Sequence, residues 1–118
     1  MSNLYDNATD HAGAGYRDID PARVALSRGT AVRVIDVREP AEFGGDLGHA
    51  PGAELVPIAT LETAAKPWNR EQEIVLVCRS GARSARAATT LVTMGFRRPM
   101  NMVGGMMAWN AAQLEIEK

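Results

Sequence analysis

The residues that could do chemistry in this chain are concentrated in one octapeptide, Val77-Cys78-Arg79-Ser80-Gly81-Ala82-Arg83-Ser84, which holds its only cysteine. An apolar, strand-like run, Ile74-Val75-Leu76-Val77, leads into it. A helix-like run, Ala85 to Met94, follows and is closed by Gly95. A strand, a tight glycine-containing loop and a helix start place Cys78 at the mouth of a helix N-terminus. There, unpaired backbone N–H groups and the positive end of the dipole favour an anion. Arg79 and Arg83 add formal positive charge. Such surroundings lower a thiol pKa from about 8.5 into the range ~3.5 to 7.5, which leaves a nucleophilic thiolate at neutral pH. The sequence describes a reactive cysteine in an anion-binding loop.

The elements around this loop alternate. Residues 1–15 are polar and aperiodic and read as a flexible N-terminal tail, with the folded domain expected over 16–118. Asp20-Pro21 is an N-cap and first-turn pair that opens a helix ending near Gly29. Ala31 to Val37 is a β-branched strand, Pro40 to Phe43 a helical turn, and Gly44 to Gly52 a loop dense in breakers. A brief strand at Glu54 to Val56 precedes a helix over Thr60 to Ala65. Ile74 to Val77 is the central buried strand, Pro99 to Val103 a further strand, and Gly105 to Glu115 a closing helix. This alternation predicts an α/β fold with a mostly parallel sheet flanked by helices. In such sheets reactive loops sit at the carboxyl ends of strands, where Cys78 falls.

Composition narrows the function classes. A chain of 118 residues suits one domain burying about two-thirds of its unfolded surface. One cysteine excludes an internal disulfide, a Cys-x-x-Cys redox pair and a cysteine-built zinc site. No apolar run approaches the ~18 residues needed to span a membrane. Met1 to Tyr16 carries acids but no Lys or Arg, unlike a secretory or transit leader, so a cytoplasmic address is expected. Ile74 to Leu114 holds five arginines and no Asp or Glu, whereas Met1 to Glu73 holds 12 acidic against 7 basic residues. That asymmetry suits a small anionic substrate steered to the loop. Nucleic acid is disfavoured, because the arginines lack interleaved aromatics. No cofactor or metal is expected, and the six methionines read as core filler.

Four separated segments together resemble a rhodanese domain, the sulfurtransferase family. They are Ile35-Asp36-Val37-Arg38-Glu39-Pro40-Ala41-Glu42-Phe43, Gly48-His49-Ala50-Pro51-Gly52-Ala53, Cys78 to Ser84, and Gly104-Gly105-Met106-Met107-Ala108-Trp109. The resemblance covers residues 16–115 and implies a small α/β domain. It also implies that Cys78 accepts sulfur from thiosulfate or a persulfide donor and, as a persulfide, yields it to a thiol or cyanide. The backbone amides of residues 79–84 would cradle the sulfur. By the same resemblance Gly81 would supply the permissive backbone, Arg83 would brace or charge the loop, and Ser84 would cap the helix start and bond within the loop. Arg79 is expected nearest the donor oxyanion.

The supporting residues carry blander expectations. Asp36 and Arg38 read as an ion pair or loop brace, Glu42 as a surface or bracing carboxylate, and His49 as a turn organiser. Trp68 and Trp109 read as packing. An alternative function is a relay module that delivers sulfur to a protein partner. A phosphatase or arsenate reductase is a distant one, because the cysteine phosphatases that share the fold place five residues between cysteine and arginine. Only four stand between Cys78 and Arg83 here.

Overall fold

A computed structural model describes residues 3–118. Its centre is the four-residue strand Ile74–Val77, and every side chain of that strand is buried. β-Branched and aliphatic residues at all four positions leave no polar face, as a strand covered on both sides requires. It is β5 of six in chain order: β1 (Thr9–Asp10), β2 (Arg17–Ile19), β3 (Arg33–Asp36), β4 (Glu54–Leu55), β5 and β6 (Pro99–Met102). The sheet order is β1-β2-β6-β5-β3-β4. Only the β1–β2 pair is antiparallel.

Alternation along β5 divides the core in two. Ile74 and Leu76, continued by Cys78, face one layer with Leu61, Ala65, Ala87, Ala88, Leu91 and Phe96. Val75 and Val77 face the other, with Val24, Met100, Met102, Met106 and Trp109. The first layer is built by α3 (Leu61–Ala65) and α4 (Ala82–Thr93), the second by α1 (Pro21–Leu26) and α5 (Gly105–Ala111). A short α2 (Pro40–Phe43) follows β3. The expected α/β architecture, a mostly parallel sheet with helices on both faces, is therefore what the chain adopts. Among the described residues no helix is long and apolar enough to cross a membrane.

Local signals explain the helix starts. The Asp20 carboxylate accepts the Arg23 N–H, and Pro21 occupies the first turn of α1. Glu39 and Glu42 form a reciprocal capping box on α2. The closing helix is shorter than expected. It ends at Ala111, and the chain turns back at Gln113, so that Trp109 Nε1 donates to the Glu115 carbonyl.

The segment expected as a tail differs most. Residues 3–15 carry a 3-10 turn at Tyr5–Asn7 and strand β1, while Met1 and Ser2 lie outside the described residues. Tyr5 N–H donates to Glu73 at 2.7 Å, and the Arg17 guanidinium lies 4.3 Å from the Tyr5 ring centre while donating to the Tyr5 carbonyl. Contacts to residues 12 and 68 positions away hold this stretch, and a local pattern reading cannot register them.

The least accessible charges in the fold are Asp36 and Arg38, at 0% and 1% exposure. The Arg38 guanidinium donates to both Asp36 oxygens, at 2.9 and 2.8 Å, and to the Gly48 carbonyl at 2.8 Å. This pair ties the end of β3 to the breaker-rich loop. Arg38→Met would strand a buried carboxylate. It should lower unfolding free energy by about 3–5 kcal/mol in denaturant titrations at neutral pH. A loss well under ~1 kcal/mol would show that the pair is solvated and exchangeable.

Candidate active site

Strand β5 ends at Val77 and delivers Cys78 into the loop before α4. The loop is held from below by α5. Met106 N–H donates to the Cys78 carbonyl at 2.8 Å, and Met107 N–H to the Arg79 carbonyl at 3.0 Å. Two orphan amides of the α5 first turn are thereby satisfied. In a planar trans peptide the N–H points opposite to its carbonyl, so anchoring the carbonyls turns the Arg79 and Ser80 amides away from α5. The close approach demands glycine at 105. A side chain there would place its Cβ 2.5 Å from backbone atoms of both Cys78 and Arg79. Gly81, at φ +110°, is the N-cap of α4 and makes the left-handed turn that aims the following amides inward.

The result is a sulfur ringed by donors. Gly81 N–H lies 3.1 Å from Cys78 Sγ, Ser84 N–H 3.3 Å, and Ser84 Oγ 3.3 Å. Cys78 is 1% exposed, at the floor of a loop whose Arg79, Ser80 and Ala82 are exposed at the rim. Burial is the largest single influence on its ionisation and pushes the thiol pKa up. The hydrogen bonds from Ser84 Oγ and from the Ser84, Gly81 and Ser80 amides together outweigh burial, and the pKa falls below the ordinary thiol value. Hydrogen bonds, more than formal charge, favour the thiolate.

The remaining loop residues divide between brace and rim. Arg83 donates to both carboxylate oxygens of Glu42, at 2.7 and 2.8 Å, and so ties α4 to α2. That hydrogen-bonded pairing, working against burial, holds the Glu42 carboxyl at about 2, against an ordinary 4.5. Among the described residues no carboxylate lies within ion-pair distance of Arg79. Asp36 and Arg38 stand one strand away as the buried pair at the end of β3. His49 lies in the same buttress. Its Nδ1 is 2.9 Å from the Phe43 carbonyl, and its ring stacks on Phe43 at 3.7 Å.

Two expectations change. α4 begins at Ala82 rather than Ala85, with Gly81 as its N-cap, so Ser84 lies inside the first turn and does not cap it. Its hydroxyl serves the loop instead. Asn101, on β6, escapes the sequence reading. It is 7% exposed, its amide nitrogen lies 3.4 Å from the Gly81 carbonyl, and its Oδ1 receives the Ser84 hydroxyl. A polar side chain between Met100 and Met102 is the signal that could have drawn attention to it.

Comparison with known proteins gives the family and the fold. The family model described as Rhodanese-like domain matches residues 20–112. A "Putative sulfur carrier protein YrkF" of Bacillus subtilis is 37% identical over 79 residues, 67% of this chain but only 42% of that protein. A "Thiosulfate sulfurtransferase GlpE" of Pseudoalteromonas translucida is 36% identical over 84 residues, covering 71% of this chain and 78% of the relative. The crystal structure of a rhodanese-like domain protein from Staphylococcus aureus superposes with a TM-score of 0.72 at 29% identity, covering 86% of this chain and 98% of that one.

Two measurements test the site. Thiolate ultraviolet absorbance, read against a Cys78→Ser blank, should titrate below the midpoint of the urea-unfolded chain. Ser84→Ala should raise that midpoint by about one unit through loss of one donor to a charged sulfur. An unmoved midpoint would assign the stabilisation to backbone amides alone. The second measurement follows Glu42. Its folded pKa lies below its unfolded one, so the contribution of the pair to stability is complete above about 4.5 and lost as pH falls toward about 2. Glu42→Gln should flatten the stability-against-pH curve across that window, measured by urea unfolding. A wild-type slope retained in the variant would place the titration elsewhere.

Proposed function

The chain belongs to the rhodanese-like domain family, and from that premise we propose that it is a sulfurtransferase working through a Cys78 persulfide. The observation that carries the reading is the convergence of the Gly81 and Ser84 amides and the Ser84 hydroxyl on the sulfur of the only cysteine. Backbone amides that stabilise a thiolate also suit a terminal persulfide sulfur, which carries its negative charge after transfer.

The steps balance without an oxidant. The Cys78 thiolate attacks the outer sulfur of thiosulfate, the sulfur–sulfur bond of the donor breaks, and sulfite leaves with the bonding pair. Cys78 then carries an anionic outer sulfur. An acceptor thiolate or cyanide attacks that sulfur, the new sulfur–sulfur bond breaks, and the Cys78 thiolate returns. Arg79, exposed at the rim with no carboxylate partner among the described residues, supplies positive charge for the donor anion. The same donors would serve a persulfide substrate. The phosphatase alternative asks Arg83 to clamp an anion, yet both of its terminal nitrogens are engaged by Glu42.

A second reading, delivery of sulfur to a protein thiol, draws support from the mouth of the site. Val103 and Met107 are 50% and 49% exposed although apolar, and Met107 N–H is bonded to the Arg79 carbonyl. Exposed apolar side chains beside a reactive thiol suit a macromolecular acceptor.

Incubation with thiosulfate and no acceptor should add one sulfur atom to the intact mass, reversed by cyanide and absent in Cys78→Ser. With no other thiol in the chain, the persulfide cannot collapse into an internal disulfide. Hydrolysis of aryl phosphates without sulfur uptake would overturn the proposal. Loading with slow turnover on small thiols would favour the protein acceptor.

A further inference from the structure

The Ser84 hydroxyl has one proton and three acceptors in reach. Cys78 Sγ lies at 3.3 Å, the Gly81 carbonyl at 3.2 Å, and Asn101 Oδ1 closest of all. Which of them receives the proton depends on which way round the Asn101 amide sits. Its other end settles that question. The Gly81 carbonyl can only accept, so the Asn101 NH2 group must face it, and Oδ1 must face Ser84. Turning the amide over would set two oxygens against each other inside a buried site.

We propose that Asn101 is a positioning residue that governs the Ser84 hydroxyl, drawing its proton away from Cys78 Sγ so that the sulfur alternates between two hydrogen-bonding states. This rests on the persulfide reading above and concerns how the sulfur is tuned within it. With a neutral sulfur, a thiol or the inner sulfur of a persulfide, Ser84 donates to Asn101. With a thiolate, the proton must swing to Sγ, and Oδ1 loses its donor. The free thiolate therefore gains less from Ser84 than an unopposed hydroxyl would give, while the persulfide keeps the Ser84–Asn101 bond intact. Asn101 thus keeps the free sulfur reactive and favours the loaded state.

The charges around Cys78 do not supply this effect. Arg83 from α4 is paired with Glu42 from α2, Asp36 at the end of β3 is paired with Arg38, and Arg79 is exposed on the loop. β6 and α5 carry no titratable side chain, and on β2 the two charges are paired elsewhere, Asp18, the register partner of Asn101, with His11 and Arg17 with Asp10. Replacing Asn101 changes none of these groups.

The test is thiolate absorbance against pH, with the Cys78→Ser blank, for Asn101→Leu. Asn101→Val, a strand-compatible replacement, is the second variant should the first fail to fold, with far-ultraviolet circular dichroism reporting the fold. Either should lower the thiolate midpoint by about one unit, as Ser84 turns to the sulfur unopposed. In a Ser84→Ala background the same replacements should leave the midpoint where Ser84→Ala alone puts it. A midpoint raised or unmoved in the single variants, or an equal shift without Ser84, would reduce Asn101 to a structural residue. This readout needs no sulfur donor. It can therefore fail while sulfur loading succeeds, or hold while loading fails.

Discussion

A sulfur anion with almost no contact with water is tenable only where hydrogen-bond donors converge on it. Here the donors are mostly main-chain amides, which cannot be placed one at a time. They are placed by fixing the carbonyls on the opposite sides of the same peptides. The two bonds from the α5 first turn to the Cys78 and Arg79 carbonyls do this, and Gly105 permits the approach. The left-handed Gly81 then turns the chain so that its own amide and that of Ser84 return to the sulfur. Helix α5 contributes no side chain with reactive chemistry, yet the loop takes its shape from it.

The same logic extends outward through pairs that lock one element to the next. Arg83–Glu42 joins α4 to α2, Asp36–Arg38 joins β3 to the Gly48 carbonyl, and His49 packs its ring on Phe43. These residues belong to three of the segments that carry the family resemblance, and the structure shows them bracing one another. A positive loop therefore keeps one arginine, Arg79, without an ion-pair partner among the described residues while Arg83 is committed to structure. The division follows from reach. Arg83 lies in the first turn of α4 with Glu42 in range, and among the described residues no carboxylate comes within ion-pair distance of Arg79 on the rim.

Much of this was legible from local pattern. β5 was readable because four apolar residues in a row leave no alternative to a doubly covered strand. α1 and α2 were readable because Asp20-Pro21 and Glu39-Pro40 carry their own start signals. What stayed hidden depends on distance along the chain. β1 and β2 have two and three residues, too few for a period to show, and partners elsewhere hold them. The bond between Ser84 and Asn101 spans 17 residues, and that between Arg83 and Glu42 spans 41. The misplaced start of α4 has a different origin. Gly81 reads as a loop residue, and only its left-handed backbone makes it the helix cap, which moves Ser84 from the cap into the first turn.

Both margins of the sheet end in the shortest strands it contains, β1 on one side and β4 on the other, each two residues long. Each is crossed by an ion pair to its neighbour, Asp10 with Arg17 and Glu54 with Arg33. A parallel sheet of apolar strands is otherwise a ready template for pairing with another copy, because its outermost backbone groups have no partner. Two-residue margins with charged flanks offer an incoming strand almost no length to register against. The N-terminal stretch thus acts as a hem: without β1, the edge of β2 would lie open beside the buried methionines of β6.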